Sequence, residues 1–249
     1  MSGATPIDKT RPTPEWIASL RERFPCEPEV DRFLTAKLHE RSEPPYKPVS
    51  LDQLCDGLGR LLRANGVDDF EISSPRWLTG GASKLQMAFD LGWEQVSGQR
   101  ISTPMVLRMQ PAESIVESSR LREFQLIRVM AGRLPVPAAY WVDNLGEYLP
   151  YPALVCGFVK GVTKPTQGQG GEVSGMGTHY GARLRELLAP QFVDMLASIH
   201  TFDWASTALS AFEIPPPGTT AVARQINWWR RVAEEDAEAD IPLVTLAEH

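Results

Sequence analysis

Four short segments carry groups suited to holding a polyphosphate and the base attached to it. Gly80 and Gly81 lie between strand-like stretches, where they free the backbone for positive φ and let N–H groups approach an oxyanion. Ala82 and Ser83 follow, the serine adding a hydroxyl donor. Arg108 ends Val106-Leu107-Arg108, a cation on an otherwise apolar strand, and a guanidinium takes phosphate as a planar fork. Glu123, in the next helical stretch, supplies a carboxylate to hold that fork. Leu154-Val155-Cys156-Gly157-Phe158-Val159 is so apolar that the main chain at Gly157, Phe158 and Val159 is the only polar reader available to an adenine edge. Each feature also has a plainer reading. A Gly-Gly pair between strands is a hairpin turn, Arg108 is a solvated cation while Glu123 merely joins Arg120 and Arg122 in a charged face, and the 153–159 stretch is a buried strand.

These groups need a frame, and the apolar pattern predicts one. Leu51, Leu54, Cys55, Leu58, Leu61 and Leu62 recur at helical spacing after Ser50, a suitable N-cap, and before Gly66. A strand is expected over 70–78, then a second over 84–91, where Leu85, Met87, Phe89 and Leu91 alternate with Gln86, Ala88 and Asp90. Residues 93–100 read as a hairpin loop and 103–109 as a third strand. A helix is expected over 114–130, stopped by Gly132, Pro135 and Pro137, and two short strands over 140–142 and 153–159. Five strands with one inserted helix make a small α+β lobe with an antiparallel sheet. Helices are then expected at 183–188, 191–200 and 221–238, with Phe192, Met195, Leu196 and Ile199 on one side of the second. His200 reads as a structural histidine, and Trp204, Trp228 and Trp229 as packing residues.

The flanks differ in composition. Residues 1–48 hold eight prolines, eight basic and eight acidic residues, and read as an N-terminal arm or loose helical preamble. Residues 49–160 form the lobe with its hinge, 161–181 a glycine-rich linker, and 182–249 part of a helical second lobe. A net charge of -6 and a pI near 5.3 give no basic field for nucleic acid or an anionic membrane. No apolar run approaches a membrane helix and the start lacks a signal-peptide core, so a cytoplasmic protein is expected. Cys26, Cys55 and Cys156, without C-x-x-C spacing, are expected as free thiols.

In order and spacing, Leu78-Thr79-Gly80-Gly81-Ala82-Ser83, Val106-Leu107-Arg108, Arg122-Glu123-Phe124, Val136-Pro137 and the 154–159 stretch resemble the aminoglycoside phosphotransferase and choline kinase-like family. Within that family they resemble the branch related to the kinase-like domain fused to some acyl-CoA dehydrogenases, to which Phe192–Trp204 and Arg224–Arg231 are also similar. The resemblance covers roughly 70–249. It implies a protein-kinase-like fold that binds ATP or GTP with Mg2+ and transfers the γ-phosphoryl group to a small-molecule hydroxyl. Gly80, Gly81, Ala82, Ser83, Arg108 and Glu123 would serve the phosphates, and Gly157, Phe158 and Val159 the base. The family's usual lysine is Arg108 here, Lys160 stands where an acid is common, and 163–181 is an insertion.

His-x-Asp-x-x-x-x-Asn has no counterpart: His39, His179 and His200 precede Arg41, Gly181 and Phe202 by two. In the family that motif and the metal-binding Asp would follow shortly after residue 249. No catalytic or metal-ligating residue is therefore assigned, and the helical lobe is expected to be incomplete. The expectation is a small-molecule phosphotransferase cut before its catalytic loop, or alternatively a non-catalytic nucleotide-binding or protein-interaction module. The acceptor is open among an aminoglycoside, a choline-like amino alcohol and a hydroxyacyl thioester.

Overall fold

The computed structural model describes residues 7–42, 48–78, 84–94, 98–111, 117–161 and 181–237. Two helices open the chain, α1 (Pro14–Arg23) and α2 (Pro28–Glu40), each with its proline in the first turn. There the missing N–H is harmless and the fixed φ suits a helix start. Thr13 caps α1 by accepting from the N–H of Trp16. Trp16, Ile17, Leu20 and Phe24 of this segment pack with Leu38 of α2 as a small core of their own. The first-turn prolines thus begin two helices that pack on each other.

Helix α3 (Leu51–Ala64) begins with a reciprocal cap. The Gln53 N–H donates to Ser50 Oγ at 3.1 Å, and the Ser50 N–H donates to Gln53 Oε1 at 2.9 Å. Its buried face, Leu54, Leu58, Leu61 and Leu62, lies on a five-stranded antiparallel sheet of order β1-β2-β3-β5-β4. The strands are β1 (Phe70–Trp77), β2 (Leu85–Glu94), β3 (Arg100–Met109), β4 (Ala139–Asp143) and β5 (Ala153–Gly157). Met87, Phe89, Leu91, Met105, Leu107, Met109, Ala153 and Val155 supply the sheet side of that core. Alternation therefore sends Gln86, Ala88, Val106, Arg108, Leu154 and Cys156 to the other face. The second and third strands run further than the sequence pattern suggests, because Trp93 pairs with Ile101 across the ladder and donates its indole N–H to Thr103 Oγ1 at 3.1 Å.

Gly57 marks the closest approach of α3 to the loop after β4. An ideal Cβ there would lie 2.6 Å from the Tyr148 carbonyl oxygen, and Arg60 Nη2 donates to that same oxygen at 2.7 Å. That loop is itself fixed by Asp143, a buried carboxylate accepting the N–H groups of Glu147, Tyr148 and Leu149 at 2.8, 2.9 and 2.9 Å. With neither side free to yield, Gly57→Ala is expected to cost about 1–3 kcal/mol, read as a lowered midpoint in thermal or urea unfolding.

Helix α4 (Arg120–Met130) lies along β4 and β5, capped by Ser119, whose Oγ accepts from the Arg122 N–H at 3.1 Å. Beyond residue 180, α5 (Gly181–His200) runs unbroken through Pro190, where the sequence suggests two helices, and its residues from 183 onward are almost all exposed. Phe192, Leu196 and Ile199 are 69%, 44% and 49% exposed, so the expected packing side faces outward. Helix α6 (Thr220–Asp236) returns to α1 and α2: Lys9 Nζ donates to the carbonyls of Glu234 and Ala237, and Asn227 Nδ2 to that of Pro25. Trp228 meets Phe33 edge-on at 5.8 Å and stacks on Trp229, also at 5.8 Å, so both pack as expected, while Trp204 is 42% exposed. Among the described residues no helix is long and apolar enough to cross a membrane.

Candidate functional site

On the sheet face away from α3, two neighbouring cross-strand rows differ in chemistry. Ala88 pairs with Val106 and Val106 with Cys156, giving a row of small buried side chains across β2, β3 and β5. Burial pushes the Cys156 thiol up, so it is a neutral part of that row. One pleat further along, Gln86 pairs with Arg108 and Arg108 with Leu154. The small-residue shelf therefore lies about 7 Å along the strands from the row that carries Arg108, the rise of two strand residues.

Arg108 does not face open solvent. Its Nη1 lies 2.5 Å from Glu123 Oε1, and the other carboxylate oxygen, Oε2, lies 2.6 Å from Arg120 Nη1. Glu123 thus bridges a strand cation and a helix cation. Arg120 is only 2% exposed, and burial followed by the Arg108 charge pushes its guanidinium down, with Glu123 opposing. Arg122 leaves this group altogether, pairing with Glu27 of the α1–α2 connection at 2.7 Å and donating to the Ala211 carbonyl at 3.0 Å. The plainer reading of Glu123 as one member of a surface with Arg120 and Arg122 is therefore not the arrangement observed.

Lys84, just before β2, joins the same cluster. Its ammonium donates to Gln110 Oε1, and burial, followed by the Arg120 charge, pushes its pKa down to about 8. Sequence reading missed both Lys84 and Arg120. The signal for Lys84 was available, since extending the β2–β3 register by one pair from Leu85 and Met109 sets it opposite Gln110, one row from Arg108. Beyond Arg120, Glu117 is already taken by Lys37 at 2.6 Å. The described residues thus gather Lys37, Lys84, Arg108 and Arg120 around Glu117 and Glu123, and the buried Nε atoms of Arg108 and Arg120 make no hydrogen bond. Guanidinium donors left unused in this cluster suit an anion.

The other predicted residues are placed as follows. Gly80, Gly81, Ala82 and Ser83 lie outside the described residues. Gly157 ends β5 and donates its N–H to the Ala138 carbonyl at 2.8 Å, and Phe158 donates to the Pro104 carbonyl at 2.9 Å. Those two N–H groups are occupied within the fold, and Val159, 69% exposed, follows them past the end of β5. His200 is exposed on the last turn of α5. Among the described residues no group of three or more His, Cys, Asp or Glu is placed to hold a metal ion. The three cysteines are free thiols.

A family model described as "Phosphotransferase enzyme family" matches residues 87–248, well over half of the chain. Among solved structures, a chain from Ralstonia eutropha JMP134, provisionally described as an aminoglycoside phosphotransferase, is 19% identical with a TM-score of 0.45. The match covers 76% of the present chain and 49% of that one, so this chain spans about half the length of that relative. No curated protein matches the chain.

Proposed function

The chain belongs to the phosphotransferase enzyme family, and from that premise we propose that its sheet face and α4 form the nucleotide half of an ATP- or GTP-dependent small-molecule kinase. The observation that carries the reading is the Arg108–Glu123–Arg120 bridge, a fixed carboxylate presenting a guanidinium one pleat beyond a shelf of small side chains. In this reading the purine lies under Ala88, Val106 and Cys156. The polyphosphate then extends toward Arg108 and the Gly80–Ser83 turn, with Glu123 orienting Arg108. Because Gly157 and Phe158 have spent their N–H groups, the base edge is met by their carbonyls and by the main chain of Val159. The domain reading goes with it: an N-terminal region at 1–48, the nucleotide lobe at 49–160, a linker at 161–181 and part of a helical lobe at 182–249. The acceptor is a hydroxyl of a small molecule.

Magnesium is the ion such chemistry ordinarily employs, and it requires oxygen ligands. The described carboxylates nearest the cations, Glu117 and Glu123, are committed to Lys37, Arg108 and Arg120. They do not make a magnesium site, and no step of this proposal passes through one.

Calorimetric titration with ATP and GTP, with and without Mg2+, tests the reading. Wild type is expected to bind, and Arg108→Ala to bind roughly 10- to 100-fold more weakly, the value of one charge-assisted hydrogen-bonded contact. Equal affinities would remove Arg108 as the phosphate anchor.

A second reading, a non-catalytic nucleotide-binding or protein-interaction module, has one observation in its favour. Besides the outward apolar side of α5, α6 exposes Val222, Ile226 and Trp229 at 62%, 46% and 56%. ATP incubated with a panel of small hydroxyl acceptors separates the two. The kinase reading expects ADP and a phosphorylated acceptor, whereas the module reading expects ATP recovered intact.

A further inference from the structure

Helix α4 carries the carboxylate that presents Arg108, yet little apolar burial holds the helix in place. Of its eleven residues only Arg120 is buried, and Leu126 is 40% exposed. An element with few buried apolar side chains lies toward the low end of local stability, so the polar contacts that reach it decide where it sits. Many of those contacts come from the start of α2. Glu29, in the first turn of α2, accepts from the Ser119 hydroxyl, and the oxygen of that hydroxyl caps α4 by accepting from the Arg122 N–H at 3.1 Å. Glu27, the residue before α2, pairs with Arg122 at 2.7 Å. Arg32 donates to both oxygens of Glu29 at 2.7 and 2.8 Å and to Asn144 Oδ1 at 3.3 Å, the oxygen that also accepts from the Leu121 N–H. Each route ends in the residues immediately ahead of Glu123. The other ties run from Arg122 and Gln125 to Ser210 and Ala211. Burial raises the Glu29 carboxyl, but the bonds from Arg32 and Ser119 outweigh it and hold the group below its ordinary value, so Glu29 is a charged acceptor for the cap.

We propose that Glu29 is a positioning residue of the nucleotide site: through Ser119 it fixes the first turn of α4, and with it the Glu123 carboxylate that aims Arg108 at the phosphates. The inference rests on the nucleotide-binding reading above and makes the N-terminal helices a working part of that site. Glu29 itself touches no ligand. Its influence passes along Ser119, α4 and Glu123 to Arg108, so it reaches the phosphates and not the base. Two signatures follow from that route. Loss of Glu29 weakens a nucleotide and leaves the nucleoside untouched, and it matters only while Arg108 is present to be aimed. A side chain that merely maintained the fold would show neither.

The experiment is calorimetry of the full chain with ATP and adenosine, comparing wild type with Glu29→Ala, Glu29→Gln, Arg108→Ala and the Glu29→Ala/Arg108→Ala double variant. Glu29→Ala is expected to lose roughly 3- to 30-fold in ATP affinity and nothing for adenosine, whose unchanged binding also shows the variant folded. Glu29→Gln keeps an oxygen for the Ser119 hydroxyl and is expected to bind ATP nearly as wild type does. In the Arg108→Ala background, Glu29→Ala is expected to add almost no further loss. Four outcomes overturn this inference and leave the nucleotide reading standing: Glu29→Ala binding ATP as wild type does, Glu29→Gln falling as far as Glu29→Ala, equal losses for ATP and adenosine, or losses that simply add in the double variant. No binding of ATP by wild type would overturn both.

Discussion

Glu123→Ala is expected to lower the unfolding free energy by about 2–4 kcal/mol, making it one of the most damaging single truncations in the sheet-bearing part. The cause is not a lost contact alone but two arginines left without their shared counter-ion. Arg108 and Arg120 now meet the two oxygens of Glu123 at 2.5 and 2.6 Å, and Arg120 has almost no solvent to fall back on. Glu123 also raises the Lys84 pKa against desolvation, so its removal pushes that ammonium further toward its neutral form. Glu123→Gln, which keeps shape and hydrogen-bonding capacity but not charge, separates the two components. If charge is the cause, chemical unfolding places it close to Glu123→Ala. A Gln variant as stable as wild type would show that packing, not counter-charge, is what Glu123 supplies.

The parts of this arrangement written in local patterns were readable in advance. Leu85, Met87, Phe89 and Leu91 announce a half-buried strand because the pleat period is two, and Ser50 with Gln53 announces a helix start because its donors need acceptors. The inserted helix and the positions of Arg108 and Glu123 followed from the same logic. What escaped notice depends on pairs distant in sequence. Pro14 and Pro28 look like breakers until helix N-termini are considered, where a proline has no bond to lose. Asp143 reads as a turn residue because its three acceptor bonds go to the loop after it. Pro190 signals a break between helices, yet it lies inside α5. Arg231 looks like a surface residue in Trp228-Trp229-Arg230-Arg231, yet it is wholly buried. Its partners Asp31 and Thr35 precede it by most of the chain, a separation no periodicity encodes.

That burial makes the N-terminal helices part of the site's support. Helix α2 touches both ends of the problem. Glu29 accepts from Ser119, the cap of the helix that carries Glu123, while Asp31 meets Arg231 of α6. Arg231 itself is held three ways: by Asp31 at 2.6 Å, by Glu235 at 2.8 Å and by Thr35 Oγ1 at 2.9 Å. Of these partners Glu235 is the vulnerable one, 1% exposed, with burial raising its carboxyl above the ordinary 4.5 and Arg231 pulling it back down. Asp31 keeps a second arginine, Arg21, at 2.7 Å.

Arg231→Leu is therefore expected to cost about 3–5 kcal/mol near neutral pH, chiefly by leaving Glu235 ionised and unpaired. The sign of the pH dependence follows. A carboxylate whose folded pKa lies above its unfolded value binds protons preferentially in the folded state, so its ionisation erodes stability as pH rises through that window. Without Arg231 the folded value climbs further, and the window widens upward. The variant should accordingly recover part of its loss as pH is lowered toward about 5, a direction opposite to ordinary acid denaturation, which urea melts at a series of pH values will register. Adding Glu235→Leu to Arg231→Leu removes the stranded charge and is expected to restore most of the stability at neutral pH, since apolar groups of similar size replace a buried pair at little cost. A double variant no better than the single one would locate the damage in Asp31 and Thr35, and with it the contact by which α2 holds α6.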